Sequence, residues 1–245
     1  MSVKNILFIL SLLSSFIMAQ EASEILDNME KAMTQISSKG IMSQTIKTST
    51  GSLRELEYEY YSGEKGKHTL MRYLKPSRSK GMAILMRDNS SQIWMYNQRT
   101  RRARMLASSA KNQNFENSDF TYEDMGGSDS WTDKYDATRL EDDKDGHYML
   151  ELKPKKSADV SYTKLIMQIR KSDNHPLSIA YFNDESDAFK TLYFDDIRII
   201  EGVPTAFLLT MKNHRTGSNT IMKIISITYD VEFDDDFFFE NNLRK

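Results

Sequence analysis

Cysteine is absent from this 245-residue chain, and that absence excludes several kinds of protein at once. No disulfide framework and no thiolate metal site can be built. No cysteine heads the mature chain to carry a lipid, so a soluble rather than a lipid-anchored protein is expected. An excess of charge of one sign is lacking too. Lys and Arg number 33 against 35 Asp and Glu, a formal net charge of −2, which gives no global pull toward nucleic acid. His68, His147, His175 and His214 are scattered without HExxH or comparable ligand spacing, so no metal and no cofactor are expected. Repeats of fixed period and low-complexity linkers are also missing.

Two apparent motifs fail on inspection. Glu141-Asp142-Asp143-Lys144-Asp145-Gly146 starts like a calcium loop, but its twelfth position is Leu152 where a bidentate acid is needed. It reads as an acidic hairpin turn. Gly126-Gly127-Ser128-Asp129-Ser130 departs from a nucleophile elbow at Ser130, which stands where glycine is required. An enzyme is therefore not expected, and a lipid hydrolase built on Ser128 is the weakest reading.

What is present begins with an export signal. Lys4 supplies a short positive start, Ile6 to Met18 is apolar apart from three serines, and Ala19 precedes Gln20 as the cleavage pair. The run is shorter than the roughly 20 apolar residues of a spanning helix, and no second such segment follows. The expectation is a signal peptide over residues 1–19, one domain over residues 20–245, and a periplasmic location.

Ser23 to Ile36 has helical spacing, with Ile25, Met29, Ala32, Met33 and Ile36 on one seam, Ser23 as cap and Gly40 as stop. The pattern then changes to period two. Leu56, Tyr58 and Tyr60 alternate with Glu55, Glu57 and Glu59, and similar runs recur to Val231 between turns such as Asp145-Gly146 and Thr216-Gly217. About ten or eleven strands at meander spacing argue for a mainly β fold of the α+β kind. It would be one large curved antiparallel sheet, or half-open barrel, with a helix at its start. Fifteen methionines suit a cavity that adapts to its contents.

The informative stretch runs from Trp94 to Met125. Arg99, Arg101, Arg102 and Arg104 crowd a hairpin, as a solvated strand face or as a grip on an anionic headgroup or partner. A polar insertion from Ala107 to Asp136 follows, punctuated by Phe115, Phe120, Tyr122, Met125 and Trp131. Asp119 to Met125 is expected as a short helix capped by Asn117, Ser118 or Asp119. Aromatics in such a loop pack back onto the sheet, which on a curved sheet means covering its concave mouth. Trp94, Tyr96, Phe115, Phe120, Tyr122 and Met125 are the expected cavity or lid residues. Phe120→Asp is expected to weaken ligand uptake more than folding.

These residues resemble a family. Trp94 to Arg104, the Leu-Ala-Ser-Ser run from Leu106, and Ser118 to Met125 are similar to the outer membrane lipoprotein-sorting proteins of the LolA-like superfamily. Tyr73-Leu74-Lys75-Pro76 and Lys80-Gly81 fit the same pattern. The resemblance implies an open antiparallel half-barrel plugged by helices, with an apolar cavity for acyl chains. It implies a periplasmic carrier that shuttles a lipid or lipoprotein toward the outer membrane. The partners would be those acyl chains, an inner-membrane transporter of the ABC or resistance-nodulation-division (RND) type, and transiently the membrane. No nucleic acid is expected, and the protein would be a monomer. The alternative is an accessory module that docks on such an exporter through the arginine hairpin.

Overall fold

The computed structural model describes residues 21–33, 37–126, 131–184 and 186–244. The expected cleavage pair Ala19 and Gln20, Ile36, and residues 127–130 with Ser128 lie outside them. Thirteen antiparallel strands form one curved, unclosed sheet. The first six are β1 (Ser38–Lys47), β2 (Leu53–Gly63), β3 (His68–Lys75), β4 (Ala83–Arg87), β5 (Gln92–Asn97) and β6 (Arg102–Met105). The others are β7 (Tyr135–Arg139), β8 (Tyr148–Pro154), β9 (Lys164–Ile169), β10 (Pro176–Phe182), β11 (Lys190–Ile200), β12 (Val203–Asn213) and β13 (Asn219–Tyr229).

The strand order is β6-β5-β4-β3-β2-β1-β13-β12-β11-β10-β9-β8-β7. The chain thus meanders outward from β1 to one edge, and starts again at the opposite edge. It then meanders inward until β13 pairs with β1, from Ser38 opposite Tyr229 to Lys47 opposite Asn219. The segment between β6 and β7 has to join the two edges of an open sheet. The described residues of that segment pack on the concave face, and they are what position the site.

Two apolar clusters hold the sheet. The concave cluster draws on both meanders, with Leu56, Tyr58, Met71 and Ile84 from one and Leu150, Met167, Ile179 and Leu192 from the other. The convex cluster joins Leu70, Ala83, Leu85 and Tyr96 to Phe238 and Leu243 of the C-terminal segment. That segment folds back over the outer face. Phe237 lies 5.2 Å from Tyr61 and 4.6 Å from Phe233, and Arg72 donates to the carbonyls of Asn242 and Leu243. Covered on both sides, β3 and β4 carry near-continuous apolar runs, as strands buried on both faces do.

Thirteen strands exceed the expected ten or eleven. β1 is hard to see because Ser43, Gln44 and Thr45 interrupt its apolar pattern, although Gln44 is fully buried. Gly40 does not end the first helix but lies within β1 opposite Ile227. A Cβ there would come within 2.1 Å of the Ser226 carbonyl oxygen. The register slips one residue further on, so glycine lets β1 approach the irregular part of β13.

The first helix, α1, spans residues 21–33. Its buried seam is Ala22, Ile25, Leu26 and Met29, at the i, i+3, i+4, i+7 spacing of one helix face. Ser23 sits inside the helix and is not its cap. Among the described residues no helix is long and apolar enough to cross a membrane.

Candidate functional site: a plugged concave cavity

The crossing segment is a series of short turns: 3-10 turns at Ser108–Asn112 and Phe115–Asn117, then α2 (Tyr122–Met125) and α3 (Trp131–Lys134). The helix expected over Asp119 to Met125 covers only Tyr122–Met125, and its cap is Thr121. Thr121 Oγ1 accepts the Asp124 N–H at 3.1 Å, and Asp124 Oδ2 accepts the Thr121 N–H at 2.7 Å, a capping box.

Asp119, expected as a candidate cap, points elsewhere. Its carboxylate accepts from Ser218 Oγ at 2.5 Å and Thr220 Oγ1 at 2.8 Å, at the start of β13. Glu123 accepts the Ser161 N–H at 3.2 Å and the Ser161 hydroxyl. Asp124 meets Lys190 Nζ at 2.5 Å with both side chains only 2% exposed, and it accepts the Tyr162 hydroxyl at 2.6 Å. The Lys190 ammonium in turn lies 5.0 and 4.9 Å from the Tyr162 and Tyr181 rings. Ser90 Oγ donates to the Tyr122 carbonyl at 3.1 Å, and a Cβ on Gly126 would fall 1.7 Å from Ser90 Oγ. An ion pair this dry is strongly destabilising to break. The segment is therefore a pinned plug rather than a loosely hinged lid.

Behind the plug's far end lies a cavity of about 340 Å3. Met42, Tyr60, Leu209 and Met222 of the sheet line it, with Met29 and Met33 of α1 and Phe120, Met125 and Trp131 of the crossing segment. Its walls are chiefly thioether, aliphatic and aromatic. Tyr60 and Leu209 are only half-buried, so the cavity communicates with solvent. A smaller space of about 90 Å3 adjoins it and shares Asp124, Trp131 and Tyr181.

The candidate residues separate. Phe120 and Met125 line the cavity. Phe115 and Tyr122 are buried inside the plug in edge-to-face contact at 5.4 Å. Burial, and then the charge of Glu116, push the Tyr122 hydroxyl up to about 12. Trp94 and Tyr96 are on the other face of the sheet, in the convex cluster under the C-terminal segment. The alternation of β5 turns Ile93 and Met95 inward instead, and a period-two pattern cannot by itself say which set faces the cavity. Trp131, one of the insertion aromatics, also lines the cavity, and it is not among the residues that the sequence singles out for it. Its helical context, just after residues that read as a loop, carried no signal.

Arg99, Arg101, Arg102 and Arg104 are all exposed on the β5–β6 edge. Arg104 pairs across the strands with Met95 and Arg102 with Asn97, so both share the concave side. Among the described residues none of the four forms an ion pair.

The four histidines sit in separate hairpins. The acidic turn closes as a hairpin, with Asp143 accepting the N–H groups of Asp145 at 2.9 Å and His147 at 2.8 Å. Those bonds, the one from His147 first, hold the Asp143 carboxyl below the usual range. His175 is buried, with Nδ1 2.7 Å from the Pro176 carbonyl and its ring edge-on to Phe194, a cavity residue. Burial pushes its imidazole down. The unfolded chain therefore binds a proton that the folded one resists. This contribution to stability is complete above the free value of about 6.5 and is lost as pH falls through the folded value. The urea midpoint is expected to drop between pH 7 and 5, and less so in His175→Gln. An equal drop in both would assign the sensitivity elsewhere.

A family model described as that of an uncharacterized protein matches residues 65–245. No curated protein matches the chain in sequence. Solved structures do match. A domain of Vibrio parahaemolyticus named for outer membrane lipoprotein sorting is 23% identical, over 93% of this chain and 100% of that one, with a TM-score of 0.82. A DUF1329 family protein from Desulfovibrio piger is 24% identical over 92% and 99%, also with a TM-score of 0.82. A LolA superfamily protein from Nitrosomonas europaea is 16% identical over 90% and 98%, with a TM-score of 0.74. At these identities the likeness establishes the fold.

Proposed function

We propose that this chain, which belongs to the family whose model matches residues 65–245, is a periplasmic carrier of acyl chains, a reading supported by its LolA-like fold and its concave cavity. It binds the chains of a lipid or lipoprotein in the concave cavity and shuttles them toward the outer membrane. The observation that carries this reading is the cavity itself. It is mainly apolar, open at its rim, and about 340 Å3 in volume, within the range of about 300–1,000 Å3 typical of small-molecule sites. Each buried methylene contributes about 0.8 kcal/mol, so a chain of roughly 16 carbons would gain on the order of 10 kcal/mol if fully enclosed. Such a carrier needs neither cofactor nor acid–base pair, and an export signal over residues 1–19 would deliver it. The test is uptake of a fluorescent acyl probe by the mature protein. Saturable uptake at one probe per chain supports the reading, and no uptake counts against it.

One observation favours a second role, docking on an inner-membrane exporter of the ABC or RND type. Four exposed guanidinium groups on one sheet edge, none paired among the described residues, form a surface suited to an anionic headgroup or an acidic partner. Charge reversal at Arg101 and Arg102 is expected to abolish retention of the protein on inner-membrane vesicles. Unchanged retention would remove this reading.

A further inference from the structure

The 90 Å3 space beside the apolar cavity differs from it in chemistry. Trp131, Tyr135, Tyr162 and Tyr181 wall it, and Glu123 and Asp124 face it. The rings are arranged in two pairs, Trp131 with Tyr135 at 6.2 Å and Tyr162 with Tyr181 at 4.7 Å. The two carboxylates differ in their company. Asp124 is neutralised by Lys190 at 2.5 Å. Glu123 is held only by the neutral donors of Ser161, and no cation pairs with it among the described residues. Lys134 lines the same space but is not a free cation.

Ring faces carry partial negative charge and attract an ammonium group within about 6 Å, and they do not favour an anion. The protein already uses these rings in that way, because Lys190 Nζ lies 5.0 Å from Tyr162 and 4.9 Å from Tyr181. Electrostatics of the wall agree. Burial comes first in raising the Tyr135 hydroxyl, and the negative charge of Glu123 pushes it further up. The two spaces lie side by side, with Asp124, Trp131 and Tyr181 lining both.

We propose that the smaller space is a headgroup compartment that selects an amphiphile with an ammonium head, its chain lying in the apolar cavity alongside. This rests on the acyl-carrier reading and narrows its cargo to amine-bearing lipids. Glu123 supplies the charge, and Trp131 with Tyr135 supplies the cage.

The test compares decylammonium, decanol and decyl phosphate as competitors of a fluorescent acyl probe, below their aggregation concentrations, on the wild-type mature protein. The expected result is that decylammonium competes about tenfold better than decanol, and decyl phosphate worse. In Glu123→Gln, and separately in Trp131→Leu, the ammonium-to-alcohol ratio should shrink to within about threefold. The ratio is taken within each variant, so partial loss of folded protein cancels. Equal competition by all three heads in the wild type would overturn the compartment and leave the carrier intact. A preference for phosphate would also overturn it. Undiminished ratios in both variants would overturn the roles given to Glu123 and Trp131. If nothing bound at all, the carrier reading would fall and the compartment with it.

Discussion

Lys190→Met is expected to lower the free energy of unfolding by about 3–5 kcal/mol, an effect larger than that of most single substitutions. Lys190 and Asp124 are both 2% exposed and 2.5 Å apart. Removing the cation leaves a carboxylate that is buried, still accepts the Tyr162 hydroxyl and still closes the Thr121 capping box, but has lost its counter-charge. Asp124→Asn added to Lys190→Met should recover part of the loss, because an amide keeps an acceptor for the cap and has no charge to compensate. Urea unfolding of the single and double variants measures both. Hydrogen exchange at α2 should quicken in the single variant, because the pair is what ties α2 to β11. A cost under about 1 kcal/mol would place the pair in the class of solvated surface bridges and contradict the pinned plug.

Leu209→Asp is expected to reduce affinity for an acyl probe at least tenfold while leaving the melting temperature little changed. Leu209 lines the cavity from the middle of β12 and is half-buried, so a carboxylate there keeps some water in the empty protein. A bound chain would strip that water away, and loss of only two methylene contacts is already worth about 1.6 kcal/mol, or roughly tenfold. Competition binding beside a thermal melt separates the two effects. Equal losses in both would make Leu209 ordinary core. Phe120→Asp, the change that the sequence alone recommends, is less informative. Phe120 is buried in the concave cluster as well as lining the cavity, so folding and uptake should fail together.

The contrast between Leu209 and Phe120 shows what could be read from the sequence. Alternation in β2 gave the correct inward set of Leu56, Tyr58 and Tyr60, because one face there is polar and the period settles the side. In β5 the same alternation does not settle the side, and Trp94 and Tyr96 face the convex cluster. A second apolar layer, the phenylalanine-rich C-terminal segment, covers the convex face and makes both sides of that strand region apolar. The aromatic insertion was visible, but the reason it exists was not. It is a crossover between two meanders, and only strand pairing across nearly 200 residues, β1 with β13, reveals it. Lys190 carried no local signal at all. Its role depends on Asp124, 66 residues earlier in the chain. The run from Ser118 to Met125, by contrast, becomes interpretable residue by residue. Asp119, Thr121, Glu123 and Asp124 fasten the plug, and Phe120 and Met125 face the cavity.

Everything proposed for this protein depends on the concave cavity holding acyl chains. Native mass spectrometry of the mature protein purified from periplasmic extract, followed by lipid extraction of the same sample, tests it most directly. One acyl-bearing amphiphile per chain is expected in the wild type, and little or none in Leu209→Asp. Wild-type protein that emerges without lipid and takes up no acyl probe would contradict it.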